Sequence, residues 1–300
     1  TLATVSSGCD DMGMSDDRPV TELCRLDIDG PVARLTLTRS EVHNALNAQL
    51  ISEITDVLAW TAERSVGSTG ELLDSEGANH LRALVIGSDG RHFCAGADIN
   101  MMREGGTKGA EENRADAERL DQLFNGLWSH PCFTIASVHG VALGGGAGLV
   151  ACCDHAIAAP GTRIALSEAK LGILPAVIGP YVYRRVGSAQ FRRLATLAGT
   201  FETDEALMIG MVDQIAASAE EASQFVDETI ATVLTTAPGA VVEAKSLTDS
   251  FDRWMGTDEE LREWAIDKTS EMRASAEGQE GLAAFLEGRK PSWSSEGQDG

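Results

Sequence analysis

Three hundred residues, 43% hydrophobic and 23% charged, suffice for one large globular domain or one plus a helical appendage. They exclude a wholly disordered or fibrous chain. Forty-six acidic against 24 basic residues leave a formal charge of −22, a surface that repels nucleic acid and anionic membrane. An anionic ligand must then be held locally, by helix N-termini, backbone amides and a few cations.

Residues 1–19 read as a flexible leader, because the first seventeen lack both the basic and the apolar stretch of a signal peptide and are poor in arginine. Apolar alternation predicts strands over 22–28 and 32–37, with Asp29-Gly30 as the turn signal between them. Leu50, Ile51, Ile54, Val57, Leu58 and Thr61 recur at helical spacing over 48–64, with Asn47 as the expected cap. The Gly-, Ser- and Asp-rich stretch 65–80 reads as an extended, mobile surface loop, and 81–87 as a buried strand. After a glycine-rich loop at 105–109 comes a polar helix over about 111–128.

The stretch 131–153 holds no Asp, Glu, Lys or Arg, long enough by count for a membrane span. Five glycines interrupt it and His139 lies near its middle. A buried strand at 133–138, a glycine turn and a buried helix fit it better. Strands at 155–158 and 163–166 follow, which makes 20–200 an α/β core with parallel pairing. Near residue 188 the character shifts to helices, around 189–197, 203–209, 220–234, 239–250, 258–275 and 278–286, with one strand at 211–215. Residues 201–291 thus form a helical region suited to packing or to oligomer contacts, and 292–300 a polar tail. The six cysteines show no CxxC pair and read as buried thiols in a reducing, cytoplasmic compartment. No HxxxH or HExxH occurs and Cys152-Cys153-Asp154-His155 is too compressed to wrap one ion, so no metal is expected.

Three segments can carry chemistry. In Phe93-Cys-Ala-Gly-Ala-Asp-Ile99 the small residues Ala95, Gly96 and Ala97 leave backbone N–H groups open to a ligand oxygen, although a tight strand-to-helix turn would look the same. Gly140-Val-Ala-Leu-Gly-Gly-Gly-Ala-Gly148 matches neither GxGxxG nor a P-loop. It offers a helix N-terminus stripped of side chains, and one N–H from each segment would make an oxyanion hole for an enolate or a tetrahedral intermediate. Glu168 follows a short strand beside Leu166, Leu171 and Ile173; desolvation there would raise its pKa toward that of a proton-transfer group, unless it caps a turn.

These segments stand in order with Asn44-Ala-Leu-Asn47, His139-Gly-Val-Ala-Leu-Gly-Gly-Gly146, Ser167-Glu-Ala-Lys-Leu-Gly-Ile-Leu-Pro175 and Glu280-Gly-Leu-Ala-Ala-Phe-Leu-Glu-Gly-Arg-Lys-Pro291. Over about 20–293 the chain resembles the crotonase family of enoyl-CoA hydratases and isomerases. The resemblance implies a spiral of strand–strand–helix units, a C-terminal helical trimerisation region, and a trimer or a dimer of trimers. Acyl-CoA thioesters would be the substrates, with coenzyme A arriving as part of the substrate and no further cofactor. The thioester oxygen would lie on the amides of Ala97 and Gly145. Residues Ala95, Gly96, Asp98, Ile99 and Gly144 would surround it, with Asp98 bracing its own loop. Arg39, Ala45 and Leu46 match coenzyme A contacts, and Phe285 a side chain supplied by a neighbouring subunit. Gly288 stands where relatives carry a phosphate-binding lysine, so Arg289 or Lys290 would have to serve.

Departures bear on the reaction. Hydratases of this kind carry two glutamates; here Gly148 replaces the first and Glu168 keeps the second. A lone glutamate also suits a 3-enoyl to 2-enoyl isomerase, and a non-catalytic acyl-CoA-binding member is a third reading. The run from Leu171 to Val182, with Ala176 for a common glycine, is similar to branched glutaconyl-CoA hydratases, whose substrates carry a distal carboxylate. Tyr181, Tyr183, Arg184 and Arg185 could meet that carboxylate, or form an ordinary helix face.

Overall fold

The computed structural model describes residues 17–294; the leader up to residue 16, with Cys9, and the tail from 295 lie outside them. An antiparallel hairpin comes first, β1 (Cys24–Asp29) and β2 (Val32–Leu37), with Asp29 opposite Val32. Gly30 at φ +50° and Pro31 make its turn. The helix α1 (Ala48–Glu63) starts where expected, because the Asn47 side chain accepts the Leu50 N–H at 2.8 Å. Its buried Glu53 reaches back to accept the Glu22 and Leu23 N–H groups, tying the start of the hairpin to the helix.

From there the chain winds in repeated turns. Each turn lays one strand in a large sheet, a short strand or bridge in a small one, and then a helix. After the short α2 (Val66–Thr69), β3 (Ala83–Ser88) leads to a single bridge at Cys94 and to α3 (Ile99–Gly105) and α4 (Ala110–Trp128). Then β4 (Phe133–Val138) and β5 (Val141–Leu143) lead to α5 (Gly145–Cys152), and β6 (His155–Ala158) and β7 (Arg163–Ala165) to α6 (Gly179–Leu197). The last turn adds β8 (Phe201–Glu202), α7 (Thr203–Met208), β9 (Gln214–Ile215) and α8 (Ala219–Thr235). The large sheet runs β1-β2-β3-β4-β6-β9, parallel after the first pair, and the small one β5-β7-β8.

Period-two alternation sorts the strand side chains onto two faces. Ala33, Leu35, Leu84, Ile86 and Ala136 pack with α1, α4 and α5 in the main core, while Val32, Ala83, Val85, Ile135 and Ile157 pack against Ala222, Val226 and Ile230 of α8. Each such Leu, Ile or Val contributes about 1.5–3 kcal/mol by leaving water. The buried Arg82 guanidinium binds the Val233, Leu234 and Thr236 carbonyls at the end of α8, where a cation complements the helix dipole, and also the Trp293 carbonyl. Three further helices, α9 (Pro238–Asp252), α10 (Asp258–Ala274) and α11 (Ala276–Glu287), complete the chain; α10 has no buried residue.

Four expectations need correction. The stretch 65–80 is no open loop: Ser65 caps α2, and bridges join Ser65 to Leu81 and Leu73 to Asn79. The glycine turn contains the strand β5, because Val141–Leu143 pairs with β7. Helix begins at Gly179, not near 188; what lies there is an interruption at Gly187, φ +76°. Both expected tails are partly anchored, since Asp17 accepts from Trp60 and Arg64 while the buried Trp293 donates to the Thr235 carbonyl. The thiols of Cys24, Cys94, Cys132, Cys152 and Cys153 are free and buried. Among the described residues no helix is long and apolar enough to cross a membrane.

Candidate active site

Three turns meet at the N-terminus of α5. In the first, the Leu46 N–H donates to the Gly96 carbonyl at 2.8 Å and the Asp98 N–H to the Leu46 carbonyl at 2.9 Å. A parallel bridge built this way uses the groups flanking Ala97 and turns Ala97's own N–H away from Leu46. In the second, the Leu143 N–H donates to the Cys94 carbonyl and the Gly144 N–H to the Ala165 carbonyl, which fixes the entry to α5. Gly145 is the first helical residue, so its N–H has no intrahelical acceptor. Among the described residues neither the Ala97 nor the Gly145 N–H meets a protein acceptor, and both residues line one cleft of about 490 Å³.

Two glycines allow this approach. At Gly96, φ +92°, a Cβ would lie 2.7 Å from the Leu143 carbonyl oxygen and 3.6 Å from the Gly145 nitrogen, so the two turns touch there. At Gly144, φ +49°, a Cβ would lie 3.0 Å from Glu168 Oε1. The carboxylate of Glu168 therefore leans on the turn that presents the Gly145 amide. Glu168 opens a single helical turn after β7, Glu168–Leu171, and lines the same cleft. Its Oε2 is sealed from solvent without a hydrogen-bond partner. Burial pushes this carboxyl above the usual glutamate range, against a smaller lowering by its own backbone N–H.

The remaining wall is mostly apolar: Met101 and Met102 from α3, Leu120 from α4, then Leu174, Val177 and Ile178. Asn113 and Asp116 of α4 are polar exceptions; Asp116 is held by Lys108 at 2.7 Å and by Arg119. Chemically, two open amides beside an apolar-walled carboxylate can take negative charge on a carbonyl oxygen while the carboxylate moves a proton at the neighbouring carbons.

Of the residues singled out in the sequence, Leu46, Ala95, Gly96, Ala97, Gly144, Gly145, Glu168 and Ala176 line this cleft, with Leu171 and Ile173. Gly148 does not: a Cβ there would meet Ile178 at 2.4 Å and Phe124 at 2.8 Å, so side chains fill that place. Arg39 and Asp98 stand behind the first turn as an ion pair of 2.7 Å. Asp98 also caps α3, and Arg39 donates to the Ala45 carbonyl. Ile99 is exposed at the start of α3. Phe285, 83% exposed on α11, and Lys290 after it lie outside the cleft lining. Arg289 is taken by Glu280 and Glu287. The Tyr181–Arg185 face is structural. Tyr181 packs against Trp128 with the rings tilted by 50°, Arg184 pairs with Asp252, and Arg185 binds Asp213 and the Cys153 and Met211 carbonyls. His139 bonds the Gly90 carbonyl away from the cleft. The reading missed the α3–α4 wall, although Asn113, Asp116, Ala117 and Leu120 recur at helical spacing.

The family model described as enoyl-CoA hydratase/isomerase matches residues 27–296. The chain belongs to the enoyl-CoA hydratase/isomerase family. This hydratase/isomerase chain is 32% identical over 269 residues to the crotonyl-CoA hydratase of Syntrophomonas wolfei, covering 86% of this chain and 93% of that one. To the short-chain-enoyl-CoA hydratase of Clostridium acetobutylicum it is 30% identical, covering 88% and 95%. Among solved structures it resembles an enoyl-CoA hydratase from Shewanella pealeana, with a TM-score of 0.83, 33% identity and coverage of 92% and 97%. Pseudomonas aeruginosa AtuE gives a TM-score of 0.81 at 36% identity, covering 91% and 99%. The crotonase fold and an enzyme of the hydratase/isomerase type are thereby established.

Proposed function

We propose that the enzyme hydrates a short 2-enoyl-CoA whose acyl chain is apolar, branched or unbranched. The observation that carries this reading is the one carboxylate of the cleft, among the described residues, not held by a cation: Glu168, whose Oε2 is buried and unpartnered and whose Oε1 lies beside the turn that presents the Gly145 amide. The thioester oxygen lies on the Ala97 and Gly145 amides. Glu168, ionised, takes a proton from water as the water oxygen bonds the β-carbon and the double-bond electrons move through the α-carbon onto the thioester oxygen. The enolate then collapses as Glu168 returns that proton to the α-carbon, so H and OH are added and the carboxylate is restored. The similarity to crotonyl- and short-chain-enoyl-CoA hydratases supports the short chain. A distal carboxylate finds less support: the cleft is lined by Asp116 and, among the described residues, by no cation.

The test compares crotonyl-CoA, 3-methylcrotonyl-CoA and 3-methylglutaconyl-CoA by loss of conjugated thioester absorbance. Glu168→Gln should cost about 10²–10⁴ in kcat; full activity in that variant refutes the assignment, and preference for the dicarboxylate refutes the chain reading. Isomerisation is a second reading, favoured by the filled space at Gly148, which leaves Glu168 without a second glutamate opposite it. It predicts that a 3-enoyl-CoA gains conjugation without incorporating oxygen from labelled water. We further propose a homo-oligomer, because Ile266, Leu282, Phe285 and Leu286 leave apolar surface open on the last two helices. Light scattering would distinguish a monomer from a trimer or hexamer. The buried free thiols suit a reducing, cytoplasmic setting.

A further inference from the structure

Adding water to a conjugated double bond needs more than a base: the oxygen lone pair must point at the β-carbon, which takes two anchors on the water. Glu168 supplies one. Four polar side chains line the cleft among the described residues, Asn113, Asp116, Ser167 and Glu168. Asn113 is exposed on α4, with its Nδ2 tied to the Lys108 and Gly109 carbonyls, and Asp116 is occupied by Lys108 and Arg119. Position 148 offers no room, since Phe124 and Ile178 fill the space over its Cα.

Ser167 differs. It stands just before the helical turn that carries Glu168, where a serine ordinarily caps with its hydroxyl, yet it makes no side-chain cap bond. Its half-buried hydroxyl flanks the same point over Gly144 as the carboxylate: a Cβ there would lie 3.0 Å from Glu168 Oε1 and 3.9 Å from Ser167 Oγ. A water between two such oxygens gives one hydrogen to each.

We propose that Ser167 is the second anchor of the attacking water, a positioning residue that accepts one water hydrogen while Glu168 removes the other. This rests on the hydratase reading above. The Ser167 hydroxyl keeps its own proton throughout, and the balance of the addition is unchanged. The role separates two reactions of the site. Hydration needs a placed water; enolisation of a saturated thioester needs only Glu168 and the two amides.

The experiment measures both, with crotonyl-CoA hydration and with deuterium exchange at the α-carbon of butyryl-CoA. Ser167→Ala should lower hydration kcat about 10- to 100-fold, with KM and the exchange rate within about twofold of the parent. Ser167→Thr, which keeps a hydroxyl, should recover most of the hydration and serves if the alanine variant folds poorly. Unchanged hydration in Ser167→Ala, or hydration and exchange falling together in both variants, overturns the proposal while leaving Glu168 in place. A parent enzyme that exchanges without hydrating, or a Glu168→Gln variant that keeps both activities, overturns the underlying reading instead.

Discussion

Among the described residues two clefts contrast, and the larger is not the one that brings the two open amides and Glu168 together. A cavity of about 760 Å³ opens between α8, α9 and the end of α4, and it contains more titratable groups than the 490 Å³ cleft at α5. In the larger cavity the polar groups answer one another. Lys245 Nζ donates to Asp154 at 2.6 Å and to the His130 and Cys132 carbonyls. Asp154 also takes the N–H and hydroxyl of Thr134, and His155 bonds Gln214. In the smaller one the Ala97 and Gly145 amides, Glu168 Oε2 and the Ser167 hydroxyl are left over. Volume marks where packing is loose; an open donor beside an unpartnered acid marks where a substrate completes the structure.

The contrast predicts opposite phenotypes, and the largest expected loss of stability is at the satisfied cleft. Lys245→Met leaves Asp154 without its cation in a largely buried place and should cost about 3 kcal/mol in urea denaturation. Turnover per folded molecule should stay at the parent value. A loss of kcat in the folded variant would mean that the larger cleft takes part in catalysis.

Gly96→Ala probes the other cleft. A Cβ 2.7 Å from a backbone oxygen at φ +92° cannot be absorbed by a flexible neighbour, so the first turn must move relative to Gly145. Losing the register of one amide should lower kcat about 10²-fold. Smaller again is Gly148→Ala, whose methyl meets Ile178 and Phe124 inside the core. Overpacking of that kind costs about 1–3 kcal/mol in thermal or urea unfolding. If Gly148→Glu raised hydration, the filled place would be adaptable and the contrast with Glu168 would weaken.

The same contrast explains what the sequence conveyed. Local signals sufficed for the hairpin, for the Asn47 cap and for the strand Phe133–Val138, because alternation and capping are set by neighbours in the chain. The two amides and Glu168 were legible too, since small residues and a lone acid between apolar neighbours are visible as text. What escaped were facts of the third dimension. The β5–β7 pairing, the docking of Trp293 and the α3–α4 wall depend on partners distant in sequence. For the same reason Arg39 and the Arg184–Arg185 pair looked available until Asp98, Asp252 and Asp213 were found beside them.

The mildest test is pH, and it separates the clefts by sign. Glu168 has its pKa raised by burial, and the proposed hydration uses its ionised form, so kcat/KM should fall on acidification at a pH above the ordinary glutamate range. Burial of this carboxylate also opposes folding once it is ionised. Glu168→Gln should therefore raise the melting temperature slightly at alkaline pH, an advantage that fades as acid protonates the parent. His130, under the larger cleft, behaves in the opposite sense. Its Nδ1 accepts the Cys132 N–H, which leaves Nε2 to donate to Thr61, and burial beside Lys245 pushes it from 6.5 down to about 3. The unfolded chain binds this proton more tightly, so its contribution to stability is whole above about 6.5 and drains away as pH falls toward about 3. Replacing it with Gln should flatten the acid limb of the stability curve and leave the acid limb of the rate profile where it was. A variant that moved both limbs would show the two clefts to be coupled.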